Sequence, residues 1–204
     1  MAKIIAHRGF GKYNYENSIE AFTFAASTDC YGIETDVHPT PQGFLCYHDE
    51  SKLTHGHKAP TLQQYLDICI SGDKVAVIEL KPEYAKSDIV ALVNRVRNLG
   101  WLDNTVFISF HMSNMLTLRE LLPTQSLQFV TIMWDPMLLD ILVKNKLDLD
   151  IEHNMLTKKR VTQAHELGLQ VNCWTVDGKR ATRFLEKCGV DYITTDVLQP
   201  EPNR

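Results

Sequence analysis

His7-Arg8, Glu34-Thr35-Asp36, His48-Asp49 and Glu79-Leu80-Lys81 are the groupings in this chain that could do chemistry. Alternate side chains of a strand share a face, so Glu34 is expected beside Asp36 and Glu79 beside Lys81. Apolar runs precede two of the groupings, Ile4-Ile5-Ala6 before His7 and Val75-Ala76-Val77-Ile78 before Glu79. Charges at the ends of buried strands are costly unless they bind an ion, a substrate or each other. Three carboxylates on neighbouring strands would repel one another, and a hard divalent ion answers that repulsion. Oxygen donors favour Mg²⁺ or Ca²⁺, with His7 leaving Mn²⁺ or Zn²⁺ open. Such an ion gathers phosphate oxygens and withdraws charge from phosphorus. The planar fork of Arg8 and the point charge of Lys81 are natural phosphate partners. His7 and His48, with an ordinary pKa of about 6.5, suit the base that activates a nucleophile and the acid that protonates a leaving alkoxide. Sequence does not say which is which. The chemistry implied is metal-assisted cleavage of a phosphodiester.

These groups have to be positioned by the elements around them. Strand-like runs are expected over 3–6, 32–37, 75–80, 105–109, 127–131, 147–151, 169–174 and 191–194. Helical patterns over 18–26, 87–99, 113–121, 136–145, 157–167 and 178–187 alternate with them, as does one opening at Thr61 with a capping-box pattern to Gln64. A turn-rich stretch at 38–43 and a short apolar run at 44–47 form an excursion after the second strand. Eight strands joined by seven helices predict an α/β fold, a (β/α)₈ TIM-type barrel with its chemistry at the C-terminal strand ends. An open doubly wound sheet is the alternative, but no glycine-rich phosphate loop accompanies it. The tail after Asp196 is too short and proline-rich for a full eighth helix, so the barrel is minimal and that helix truncated. The apolar surface left there is one that a second copy could cover, giving a homo-oligomer.

Composition bounds the rest. A chain of 204 residues suits a single catalytic domain over 1–204. A formal charge of -4 without a basic stretch argues against nucleic acid as a partner. No apolar run reaches the roughly 18 residues of a membrane span, and the start lacks a signal peptide's apolar region. Cys30, Cys46, Cys69, Cys173 and Cys188 are scattered without CxxC spacing, which reads as buried reduced thiols in a cytoplasmic protein.

His7-Arg8-Gly9, Glu16-Asn17-Ser18 with Ala21-Phe22, Gly32 to Val37, Gly43, His48-Asp49, Glu79-Leu80-Lys81, Ser109-Phe110, Val171 to Val176 and Gly189 to Asp191 through Thr195-Asp196 resemble, in order and spacing, the glycerophosphodiester phosphodiesterase family. The resemblance covers nearly the whole chain. It implies a TIM-type barrel with Glu34, Asp36 and Glu79 as metal ligands and His7 and His48 as the acid/base pair. It also implies Arg8 and Lys81 on the phosphate and Trp174 lining the pocket. The family's reaction is hydrolysis of a glycerophosphodiester to sn-glycerol 3-phosphate and an alcohol, a step in lipid and glycerol metabolism. The chain departs from the family pattern at Tyr15, where proline is usual, and at Ser18, where threonine is usual. Only 26 residues separate His48 from Val75, without the small inserted domain of many bacterial relatives. That leaves the head group open rather than the phosphate chemistry.

Other residues are secondary candidates. Glu16 and Asn17 are expected to hold the first loop and a neighbouring ligand, and Asp49 to support His48. His111 is a candidate for the pocket wall and Glu152, next to His153, for its rim. His38 is unassigned, His55 and His57 read as solvated loop residues, and His165 as helix surface. Two rival functions remain: a phospholipase D-like or cyclising lyase activity on lysophospholipids, and a barrel that binds phosphate ligands without turnover. The hydrolytic route itself is either direct attack by water or attack by the substrate's neighbouring hydroxyl through a cyclic phosphate.

Overall fold

The computed structural model describes residues 1–53 and 58–197. In chain order the strands are β1 (Lys3–Ala6), β2 (Gly32–Thr40), β3 (Gly43–Cys46), β4 (Val75–Leu80), β5 (Thr105–Ser109), β6 (Leu127–Thr131), β7 (Asp148–Glu152), β8 (Val171–Trp174) and β9 (Tyr192–Thr195). The helices between them are α1 (Ile19–Ala26), α2 (Leu62–Ser71), α3 (Lys86–Asn98), α4 (Met112–Leu121), α5 (Pro136–Lys144), α6 (Lys158–Glu166) and α7 (Lys179–Cys188). All strands but β3 pair in parallel, in the order β1-β2-β4-β5-β6-β7-β8-β9. Ile5 is in register with Gly32 on one side and with Thr194 on the other, so β1 closes the sheet on itself. That closure decides for the barrel over the open sheet.

Local chemistry places the elements. Ser18 Oγ accepts from the Ala21 N–H to start α1, and the capping box expected at Thr61 and Gln64 starts α2. Asp135 caps α5 with Pro136 at its first position, where a missing N–H costs nothing. The helices press their apolar faces on the outside of the barrel, while a smaller cluster of Ile5, Val77, Val106, Ile108, Val130 and Tyr192 fills its inside. Lys3 Nζ lies 4.3 Å from the Tyr31 ring centre and 5.4 Å from that of Tyr192 at the β1 N-terminal end. The five cysteines are free and buried, as expected.

One outer contact ties α2 to the site-bearing strand. The Tyr65 hydroxyl, fully buried, donates to the Ile33 carbonyl at 2.6 Å, and its ring meets Phe22 edge-on at 5.0 Å. Tyr65→Phe keeps the ring and removes the donor, so it should lower unfolding free energy by about 1–2 kcal/mol. Urea denaturation checks this; an unchanged midpoint with unchanged slope would show that the bond contributes nothing.

The second strand runs further than its sequence pattern indicates. It continues through His38, Pro39 and Thr40, which pair antiparallel with β3, Thr40 opposite Gly43. Pairing with β4 ends at Val37, so Pro39 lies on an edge where its lack of an N–H is tolerated. The hairpin projects past the barrel mouth and returns, and the Tyr47 N–H then donates to the Asp36 carbonyl at 3.0 Å. This return delivers His48 to the strand ends. His38 stacks on the Tyr47 ring at 4.1 Å, which gives it a packing role. His55, His57 and the expected truncated eighth helix lie outside the described residues.

Candidate active site

A cavity of about 180 Å³ opens at the C-terminal end of the barrel, and its wall includes His7, Arg8, Glu34, His48, Glu79 and Lys81. Asp36, at 0 % exposure, stands behind that wall. Oxygens of Glu34, Asp36 and Glu79 lie within 4.8 Å of one another, the three residues all buried. Register explains the meeting: β2 and β4 are adjacent, with Asp36 level with Glu79. Both strands turn the same pleat inward, so two carboxylates from one and one from the other face a common point.

Burial, then the neighbouring Asp36 charge, pushes the Glu34 carboxyl up to about 8 and the Glu79 carboxyl up to about 7. Asp36 is also penalised by burial, but Arg8, Lys81 and a hydrogen bond from Asn17 outweigh this and hold it below the usual carboxylate range. Glu34 Oε1, Asp36 Oδ1 and Glu79 Oε1 are buried without a hydrogen bond. Lys81 Nζ lies 3.2 Å from Asp36 Oδ1 and 3.0 Å from Glu79 Oε1, an ion pair with each. Three converging buried carboxylates, two of them sharing the Lys81 ammonium, fit a hard divalent cation.

The loop after β1 brings four more groups in. Arg8, Gly9 and Phe10 all have positive φ, 49°, 80° and 64°. A Cβ on Gly9 would stand 2.6 Å from the Ala21 carbonyl carbon, so only glycine fits there. The turn points the Arg8 N–H at Glu34 Oε2, 3.0 Å away. The Arg8 guanidinium is gripped by Glu16 Oε2 and Asp36 Oδ2, each at 3.0 Å. Asn17, at φ 53°, donates through Nδ2 to Asp36 Oδ2 at 2.8 Å and accepts from Thr35 Oγ1 at 2.7 Å. Glu16 and Asn17 thus brace the loop and a carboxylate of the cluster.

Each histidine of the wall has a carboxylate on Nδ1. His7 Nδ1 is 2.8 Å from Asp196 Oδ1, and His48 Nδ1 is 2.6 Å from Asp49 Oδ2. With Nδ1–H donating to these carboxylates, Nε2 of both rings is the nitrogen left to exchange protons. Burial lowers the proton affinity of His7, but the Asp196 hydrogen bond and the Glu34 charge more than reverse this, leaving it above the ordinary value.

Trp174 lines the cavity, its ring edge-on to Phe110 at 5.6 Å. His111 is elsewhere: it precedes α4, and its N–H donates to Ser109 Oγ. Glu152 accepts from Asn154 Nδ2, and neither Glu152 nor His111 belongs to the cavity wall. Sequence reasoning did not single out Phe110 or Asp150 for the wall, nor Asp196 as the partner of His7. Asp148-Leu149-Asp150-Ile151-Glu152 carried a readable signal, since alternation puts its three acids on one pleat. Asp196 becomes visible only once β9 is set beside β1.

A model of the glycerophosphoryl diester phosphodiesterase family matches residues 7–55 and 50–199. A glycerophosphodiester phosphodiesterase of Bacillus altitudinis is 27 % identical, the match covering 96 % of this chain and 95 % of that one. The crystal structure of a glycerophosphodiester phosphodiesterase from Parabacteroides distasonis superposes with a TM-score of 0.84 at 28 % identity, covering 96 % of this chain and 92 % of that one. A phosphodiesterase from Oleispira antarctica, solved with the product sn-glycerol 3-phosphate, shares the fold at a TM-score of 0.87 and 19 % identity, covering 96 % and 93 %.

Proposed function

The chain belongs to the glycerophosphoryl diester phosphodiesterase family, and from that premise we propose that it hydrolyses small glycerophosphodiesters to sn-glycerol 3-phosphate and an alcohol by metal-dependent acid/base catalysis. The observation that carries this reading is that two carboxylate-braced histidines share one cavity wall with two members of the buried three-carboxylate cluster.

Glu34, Asp36 and Glu79 would hold one divalent cation, Mg²⁺ or Ca²⁺ by their all-oxygen donor set. Bound there, the cation supplies Lewis-acid polarisation of the phosphoryl group. Lys81 and Arg8 hold the non-bridging oxygens and offset their charge, Arg8 fixed by Glu16 and Lys81 by the cluster. One histidine Nε2 takes the proton of the attacking water, or of the substrate's neighbouring hydroxyl in a cyclic route whose phosphate water then opens, and the other returns a proton to the departing alkoxide. Asp196 and Asp49 keep both rings in the tautomer that presents Nε2. Phe110 and Trp174 form an apolar flank against which the carbon part of the substrate packs.

Assay of the purified protein with Mg²⁺ or Ca²⁺ on glycerophosphocholine and glycerophosphoethanolamine tests the reading. The expected result is release of sn-glycerol 3-phosphate from both. Release of phosphocholine instead, or no turnover of any glycerophosphodiester, would overturn it. A diester without the neighbouring hydroxyl separates the routes, because undiminished cleavage of it eliminates the cyclic phosphate.

A further inference from the structure

Ile132, Met133 and Met137 are 58 %, 65 % and 74 % exposed. They sit where β6 ends and α5 begins, which in a barrel of parallel strands is the mouth side. Val130, two positions before this loop, lines the active-site cavity, as does Phe110 after β5. The next two connections around the ring turn basic. Lys158 and Lys159 open α6, and Lys179 and Arg180 open α7. All four are exposed, and none pairs with a carboxylate among the described residues. Neither first turn holds an acidic residue. A cation at that end opposes the helix dipole, so these four are not placed for the sake of their helices. Trp134, next to Met133, has the Arg160 guanidinium 5.4 Å from its ring centre, which joins the apolar loop to the first basic turn. The carboxylates on this side are occupied by the chain itself. Asp135 accepts from the Met137 N–H, Glu152 from Asn154, and Asp177 from Thr195 Oγ1 and the Asp196 N–H.

A cluster of unpaired cations stands out in a chain whose net charge is -4, and so do methionine and isoleucine held in water beside it. Together they match one chemistry, an anionic bilayer surface. Lipid phosphates take the ammonium and guanidinium groups, while the boundary of the acyl chains takes the apolar loop. Nucleic acid would answer the charges and leave Ile132 and Met133 in water. We propose that the β6–β8 side of the mouth docks the protein on anionic lipid bilayers. Ile132, Met133 and Met137 enter the interface, and Lys158, Lys159, Lys179 and Arg180 rest on the lipid phosphates. The opposite side of the mouth carries exposed Asp49, Glu50 and Glu83, which an anionic surface repels. The molecule therefore sits tilted, its cavity beside the bilayer and open to water on the β2–β4 side. Docking of this kind is independent of which diester is cleaved.

The test is co-sedimentation of the full chain with two kinds of vesicle, phosphatidylcholine alone and phosphatidylcholine with about one-third phosphatidylglycerol. Wild type should bind the anionic vesicles at least about 10-fold more tightly than the neutral ones, and added salt should release it. Two double variants, Ile132→Ser with Met133→Ser and Lys179→Glu with Arg180→Glu, should each weaken that binding by about 10-fold or more. Their Tm and their turnover of water-soluble glycerophosphocholine should stay at wild-type values, since all four side chains are exposed and outside the cavity wall. No binding of wild type to anionic vesicles, equal binding to neutral ones, or binding undiminished in either variant would overturn the docking face. So would a wild type that ignores vesicles but sediments as a dimer, which would give the rim to a second copy. Vesicle binding is read without activity, so a protein that binds vesicles but cleaves no glycerophosphodiester counts against the functional reading alone.

Discussion

Stripping divalent ions with EDTA should abolish turnover of glycerophosphocholine, and readdition of Mg²⁺ or Ca²⁺ should restore it. Three buried carboxylates bring oxygens within 4.8 Å of one another, and among the described residues the side chains of Lys81 and Arg8 stand against them with permanent charge. Those cations leave Glu34 and Glu79 holding protons up to about 8 and about 7. A divalent ion displaces such protons, so its binding should release protons and tighten as pH rises through that range. Thermal denaturation gives a readout that does not depend on activity: Mg²⁺ or Ca²⁺ should raise Tm, and Glu79→Gln should weaken that response. Full activity in EDTA would sink the metal assignment, as would a Tm indifferent to every divalent ion tested.

Removing either cavity histidine should reduce kcat/KM by at least about 10²-fold, the usual worth of a positioned general acid or base. His7→Ala takes away the ring that links Asp196 to the Glu34 side of the cavity, and His48→Ala the one held by Asp49. If the two act on opposite ends of one displacement, the double variant should fall well short of the product of the single losses, because neither proton transfer helps much alone. A role confined to structure would instead appear as lost Tm or weakened ion binding. Steady-state kinetics beside a Tm series on the same three variants decides the matter; a single variant retaining a third of wild-type activity would remove that histidine from the mechanism.

The Mg²⁺ and histidine predictions rest on residues that one-dimensional reading picks out. Glu34 and Asp36, or Glu79 and Lys81, are two apart in strands, and the pleat places such pairs together whatever the rest of the chain does. The strand and helix spans, the capping box at Thr61 and the barrel class follow from similarly local signals. What the same reading left open are contacts between residues far apart along the chain. Asp196 meets His7 across 189 positions, by way of the β1–β9 pairing. His48 reaches the strand ends because β2 continues through Pro39 into a hairpin, a course that the turn-forming residues 38–43 conceal. Asp150 belongs to the same alternation that exposed Glu34 and Asp36, but its place in the cavity wall follows from the closure of the strands into a ring.

His7-Arg8, Glu34-Thr35-Asp36, His48-Asp49 and Glu79-Leu80-Lys81 thus determined by themselves the kind of chemistry, since residue type sets charge and proton affinity and strand geometry sets the face. Closure of the barrel decided the rest. Joining β1 to both β2 and β9 brought Asp196 to His7 and set the Glu34 cluster opposite Asp150 and Trp174, because only a closed ring of parallel strands gives all their C-terminal ends one shared, water-poor space.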